Sequence, residues 1–217
     1  MWVKICGACD VASARVIAEA GADAIGLNFV KRSKRRVSFD DARAITDAVR
    51  GSVELVGVVE DYPIAEACEL RQLLGLDRVQ FYSTQGPIDE ASLPSWAFIA
   101  VGLAGPVDAD RLARSANRRI VVDACVAGES GGTGVTLDWT WVKGLASERA
   151  LILAGGLTPD NVAEAIATLA PFGVDVASGV EFPGRPGFKN PELVKRFVAE
   201  ARVAAGRIEN ARPLNRA

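Results

Sequence analysis

The chain has 217 residues and a mass of 22.9 kDa, and its 25 Lys and Arg against 27 Asp and Glu leave a net charge of -2. Apolar residues at 49% and charged residues at 24% are globular values, which exclude a disordered chain or a collagen-like repeat and leave enough apolar surface for one sizeable core. The missing basic excess argues against nucleic acid or an anionic membrane surface as a partner. No apolar run approaches the ~18 residues of a membrane span, and the leading MWVKICG lacks a signal peptide's apolar stretch, so a cytoplasmic protein is expected.

In chain order, short apolar runs alternate with longer helical stretches. Val3 to Cys6 leads to a helix capped by Asp10 and closed at Gly21. Ala24 to Phe29 ends in a loop carrying Lys31, Arg32, Lys34, Arg35 and Arg36 around Ser33, before a helix that opens after Ser38 with Asp40 and Asp41 near its positive end. Glu54 to Val59 precedes a helix starting at Pro63. Arg78 to Phe81 is followed by a weakly patterned stretch from Ser83 to Ser95, and Ala97 to Gly102 by a short helix around Asp108 to Ser115. Arg119 to Asp123 opens a long polar loop, Ala124 to Asp138, with Gly131, Gly132 and Gly134 near its centre. Leu151 to Ala154 runs through Gly155 and Gly156 into a helix capped by Thr158-Pro159-Asp160. Gly173 to Val176 runs through Ser178 and Gly179 towards a last helix capped by Asn190-Pro191-Glu192. The final residues, 206–217, are expected to fray.

Several of the eight strands, such as IVV at 120–122 and LILA at 151–154, are apolar without alternation, as parallel strands covered on both faces should be. Eight strand–helix units in about 205 residues fit a single-domain α/β protein, a (β/α)8 TIM barrel over 1–205. Its chemistry then belongs at the C-terminal strand ends.

Histidine is absent, which removes His triads, His metal sites and the commonest base near neutral pH; cysteine, carboxylates, Lys or Tyr must move any protons. Cys6 and Asp123 each close a strand and make such a pair, although a small buried thiol or a turn-capping Asp would look the same. The glycine turns at Gly155-Gly156 and Ser178-Gly179 follow neighbouring strands and offer free amides to a phosphate, so a phosphorylated small molecule is the expected ligand. The loop around Gly132 is a candidate to close over it, and one guanidinium of the cationic loop could clamp a carboxylate. Cys6 and Cys9 form a C-x-x-C, which keeps open a thiol oxidoreductase, or a disulfide that would silence Cys6.

In order and spacing, the chain resembles the phosphoribosylanthranilate isomerase family of tryptophan biosynthesis from Lys4 to about Ala201. The motifs that carry this are KICG at 4–7, GADAIGLNF at 21–29, SxR at 33–35, DA at 123–124, GGTG with DW at 131–139, LAGGLTPDNV at 153–162 and GVDVASGVE at 173–181. The resemblance implies a (β/α)8 isomerase without metal or cofactor, a monomer or homodimer. It further implies Cys6 as general base, Asp123 as general acid, Arg35 as binder of the anthranilate carboxylate, Gly155, Gly156, Ser178 and Gly179 around the phosphate, and Asp175 lining the substrate. The chain departs from the family pattern at Tyr82-Ser83, where a histidine and a glycine are usual, at Lys34 in place of proline, at Ala177 in place of Ser or Thr, and at Cys9 in place of Thr. A paralogue acting on, or merely binding, a related phosphosugar is the alternative.

Overall fold

Eight parallel strands pair in chain order and close on themselves: β1 (Trp2–Cys6), β2 (Ala24–Asn28), β3 (Glu54–Glu60), β4 (Arg78–Tyr82), β5 (Ala97–Leu103), β6 (Arg119–Ala124), β7 (Ala150–Leu153) and β8 (Gly173–Val176). The computed structural model describes residues 1–103, 119–124 and 139–211. Among these, the helices α1 (Val11–Glu19), α2 (Phe39–Val49), α3 (Ile64–Leu74), α4 (Lys143–Glu148), α5 (Val162–Leu169) and α6 (Pro191–Ala211) connect or follow the strands. The expected (β/α)8 barrel is therefore the fold. The expected helix around 108–115 and the loop from 125 to 138, with Gly132, lie outside the described residues.

Strand alternation sorts side chains into two cores. Trp2, Ala24, Val56, Phe98, Ala100, Val121, Ile152 and Ala154 fill the barrel interior, with Tyr82 packed against them. Val3, Ile5, Ile25, Leu27, Ile120, Val122, Leu151 and Leu153 face outwards into the layer beneath the helices. Because Trp2 points inwards and Val3 and Ile5 outwards, the same period turns Lys4 and Cys6 into the barrel. The β1–β8 seam that closes the barrel aligns Lys4 with Asp175.

Helix ends follow the sequence with small shifts. Asp10 accepts a hydrogen bond from the Ser13 amide at 2.7 Å, and the Ser38 hydroxyl accepts one from the Asp41 amide at 3.1 Å, each satisfying a donor that the first turn leaves free. The segment after β7 differs: residues 159–161 form a turn held by Thr158 and Asn161, and α5 begins only at Val162. Between β4 and β5 the described residues hold a 3-10 turn, Glu90–Ser92, in place of a full helix. Residues 206–211, expected to fray, continue α6 to Ala211; Ile208, one turn beyond Ala204, is half-buried against the core. At the opposite end from the strand C-termini, Glu54 accepts from the Trp2 indole at 3.0 Å and pairs with Arg78 and Arg119, tying four strands together. That is the stability face of such a barrel.

Candidate active site

The C-terminal strand ends surround a cavity of about 330 Å³ lined by residues of β1 to β6 and β8, by Ala154 to Leu157 just after β7, and by the loops after β2, β4 and β8. Cys6, Arg35, Asp123, Gly155, Gly156, Asp175 and Ser178 all reach its wall. Seven of the expected site residues, drawn from strand ends far apart in sequence, thus meet in one place. Gly179 contributes differently. A Cβ there would sit 2.0 Å from the Leu157 carbonyl oxygen, so the missing side chain lets the β8 turn lie directly on the β7 turn.

The two turns have the character of an anion cradle. Gly155 and Gly156 adopt left-handed φ values of 86° and 64°, and Ser178–Val180 forms a 3-10 turn. Among the described residues the amides of Gly155, Gly156 and Leu157 have no partner within the protein, which leaves three donors beside the cavity.

Beside the cradle, the thiol of Cys6 lies among charges. Lys4 is fully buried, with its Nζ 2.5 Å from Asp175 Oδ2. Burial weighs against its ammonium, but Asp175 and Cys6 outweigh that and hold the lysine pKa above its ordinary value. For Cys6, burial is the largest influence and pushes the thiol up; Lys4 pulls it down, Asp175 raises it and Lys189 lowers it, and the balance stays above the ordinary cysteine value. Cys6 in the free cavity is therefore a thiol at neutral pH, with two lysines poised to stabilise the thiolate.

Tyr82 enters the same space from β4. Burial first, then the nearby Asp123, Cys6 and Asp175, raises its phenol well above the ordinary value, so it stays protonated and can only donate or accept a hydrogen bond. Position 82 was singled out in the sequence only as a departure from a family pattern, and its place among the acid and base candidates comes from the barrel.

Arg35 is held more firmly than its cationic loop suggested. Its Nε and Nη2 donate to Glu181 Oε1 and Oε2 at 2.7 and 2.8 Å, so an internal carboxylate occupies one edge of the guanidinium. The edge formed by Nη1 and the second Nη2 hydrogen makes no bond among the described residues. Lys31, Lys34 and Arg36 are not on the cavity wall, whereas Arg32 is, paired with Glu60 at 2.5 Å.

Cys9 does not face the cavity. Its Sγ donates to the Arg35 carbonyl at 3.3 Å and lies against Gly187, and Cys6, Cys9 and Cys68 are all free thiols. A C-x-x-C redox centre with one exposed sulfur is not what this arrangement provides. Among the described residues no three Cys, Asp or Glu side chains gather so as to hold a metal ion, and no helix is long and apolar enough to cross a membrane.

Sequence reasoning passed over Glu181 and Lys189. Both are buried, at 8% and 3% exposure, in a segment otherwise read as turn and helix cap. A signal for the Lys4–Asp175 pair was present: each is a lone charge at an inward position of an apolar strand, and such charges need partners.

A parallel barrel whose strand ends bring a thiol, a carboxylate, a tethered guanidinium and an amide cradle to one cavity defines a (β/α)8 enzyme for proton transfer on a small anionic ligand. Residues 3–200 match the family model described as N-(5'-phosphoribosyl)anthranilate (PRA) isomerase. N-(5'-phosphoribosyl)anthranilate isomerases from Rubrobacter xylanophilus and a Roseiflexus species are 40% and 41% identical to the chain, covering 92% and 94% of it and 98% of their own lengths. The crystal structure of phosphoribosyl anthranilate isomerase from Thermotoga maritima superposes with a TM-score of 0.82 at 32% identity, covering 94% of this chain and 99% of that one. Another crystal structure, of a phosphoribosyl anthranilate isomerase in complex with reduced 1-(o-carboxyphenylamino)-1-deoxyribulose 5-phosphate, gives a TM-score of 0.79 at 31% identity over 94% and 99% of the two chains. The chain belongs to the phosphoribosylanthranilate isomerase family and is an isomerase of tryptophan biosynthesis.

Proposed function

We propose that Cys6 and Asp123 carry out an Amadori rearrangement of N-(5'-phosphoribosyl)anthranilate, as general base and general acid respectively. Asp123 protonates the furanose ring oxygen, the C1–O bond breaks, and the anthranilate nitrogen lone pair forms the C1=N bond of an iminium. Cys6, a thiol in the free cavity, gives up its proton to solvent as the iminium forms; as thiolate it then removes the proton from ribose C2, and the electrons of that C–H bond move into C1=C2 while the iminium becomes an enamine. Proton transfer from the C2 hydroxyl and protonation at C1 give the 1-deoxyribulose phosphate. The iminium is the electron sink, so each step needs only positioned proton donors and acceptors, worth about 10²- to 10⁴-fold each.

The observation that carries this reading is that Cys6 and Asp123 line one cavity together with Arg35 and the β7 and β8 turns. The cradle at Gly155, Gly156 and Ser178 receives the phosphate, and the open edge of Arg35 takes the anthranilate carboxylate. Asp175 keeps Lys4 charged beside Cys6. The small-molecule phosphate ester is the ligand. Dimeric and monomeric forms are known for the Thermotoga maritima relative, and either state is compatible with a cavity built within one chain.

The test follows disappearance of freshly prepared N-(5'-phosphoribosyl)anthranilate by its fluorescence. Cys6→Ala and Asp123→Asn should each lower kcat by at least about 10²-fold while affinity for a reduced product analogue stays within a few-fold. Wild-type kcat in either variant would remove the role assigned to that residue.

A further inference from the structure

Behind the cavity wall, a second set of polar groups links the thiol to the guanidinium. The Nζ of Lys189 donates to the Cys6 carbonyl at 2.6 Å, to the Ala177 carbonyl at 3.0 Å and to Glu181 Oε1 at 2.9 Å. Glu181 also receives the Arg35 fork and the Gly187 amide, the latter at 2.9 Å. We propose that Lys189 is a positioning residue for the isomerisation: it pins the end of β1 that carries Cys6 to the end of β8 and, through the Glu181 carboxylate it shares with Arg35, fixes base and carboxylate clamp at one separation. The inference rests on the roles given above to Cys6 and Arg35.

The chemistry of the ammonium supports positioning and not proton transfer. It has three N–H donors, and all three have acceptors, so none is left for substrate. Two of those acceptors are carbonyls at or just beyond the ends of strands that are neighbours across the barrel seam. Packing alone does not call for a lysine here, since apolar residues of similar volume often replace buried ion pairs at no cost in stability. What an apolar residue could not do is hold two backbone carbonyls and a carboxylate at once. Glu181 in turn fixes the plane of Arg35: with Nε and Nη2 both engaged, the guanidinium cannot rotate about its last bonds, and its free edge keeps one direction.

The charge acts on Cys6 as well. The groups facing the thiol are Lys4 from its own strand, Asp175 from β8, Tyr82 from β4, Arg35 from the loop after β2 and Lys189 from the segment before α6. Lys189 itself faces Glu181, Cys6 and Arg35. Removing its charge should therefore make the thiol harder to ionise.

Lys189→Met and Glu181→Gln would be compared with the wild-type chain by steady-state kinetics. Alkylation of Cys6 by iodoacetamide across pH, read at the Cys6 peptide by mass spectrometry, gives an independent measure. Lys189→Met should lower kcat roughly 10- to 100-fold, the range a displacement of about 1 Å at a reacting group produces, and shift Cys6 alkylation to higher pH. Glu181→Gln should act mainly on KM, raising it about 10-fold through Arg35, the equivalent of one charged hydrogen bond. Lys189→Gln keeps an uncharged N–H donor on a side chain one atom shorter, and serves if the methionine variant does not fold; the same directions are expected. Wild-type kcat and an unshifted alkylation profile in a folded Lys189 variant would overturn the proposal. If Cys6→Ala still turned over, the base assignment beneath it would fall instead.

Discussion

Replacing Lys4 by methionine isolates the charge that, among the described residues, the barrel interior holds at 0% exposure. Lys4 is 0% exposed, its partner Asp175 is 6% exposed, and Asp175 Oδ1 has no hydrogen-bond partner among the described residues. Methionine nearly preserves length and volume, so packing changes little and the loss is electrostatic. Breaking one side of such a pair costs about 3–5 kcal/mol, because the remaining charge stays buried. At about 2–4 °C per kcal/mol for a chain of this size, the melting temperature should fall by about 6–20 °C. The stranded carboxylate can escape only by taking up a proton. Its folded pKa is raised, by burial first, and the loss of Lys4 removes the main influence pulling it down. A carboxyl with a raised folded pKa costs nothing below its unfolded value of about 3.9, and the cost grows as pH rises towards the folded value. Urea unfolding followed by circular dichroism should therefore show a gap between Lys4→Met and wild type that is large at pH 7 and narrow near pH 4. The double variant Lys4→Met/Asp175→Asn should lose less than the sum of the two single variants. A gap independent of pH, or strictly additive costs, would refute the reasoning.

Two further substitutions probe the walls of the site. Gly179→Ala places a Cβ 2.0 Å from the Leu157 oxygen and 3.0 Å from its carbonyl carbon; backbone atoms must yield, so the β7 and β8 turns separate. The expected cost is about 1–3 kcal/mol of stability, with weaker binding of the phosphate-bearing product analogue in a calorimetric titration; unchanged affinity would detach Gly179 from the cradle. Tyr82→Phe keeps the ring but removes a hydroxyl that faces Asp123, Cys6 and Asp175. One hydrogen bond of about 1 kcal/mol predicts a roughly 2- to 10-fold fall in kcat/KM, and wild-type kinetics would show that this hydroxyl takes no part.

The strands were legible because each is a nearly unbroken apolar run, and a parallel barrel strand is covered on both faces. Strand ends, and with them Cys6, Asp123 and Asp175, came within a residue or two for the same reason. The end of α6 is hard to read because the sequence beyond 205 is polar, and the one apolar contact that continues the helix stripe towards Ala211, Ile208 half-buried against the core, stands alone among charged neighbours. The start of α5 moved because Asn161 bonds back to Thr158 and Gly156, a side-chain closure that competes with the first helical turn. Glu181 and Lys189 were not legible at all. Their meaning depends on Cys6, 183 residues from Lys189, and Arg35, 146 residues from Glu181, and no local spacing records such a meeting. The sequence likewise shows five cations after β2 without saying which one a distant carboxylate will hold.

On the proposed roles, the electrostatics of the cavity also explain why a chain without histidine can use a thiol as its base. In the free cavity burial keeps Cys6 protonated despite Lys4 and Lys189, which spares a reactive thiolate from contact with water and oxidants. Ring opening by the acid then places an iminium cation on the substrate. That third positive charge favours the thiolate in the same direction as the two lysines, and it also acidifies the C2 proton that the thiolate must take. The base becomes available when its substrate proton becomes labile, so the order of acid step before base step follows from the charges that the barrel brings together.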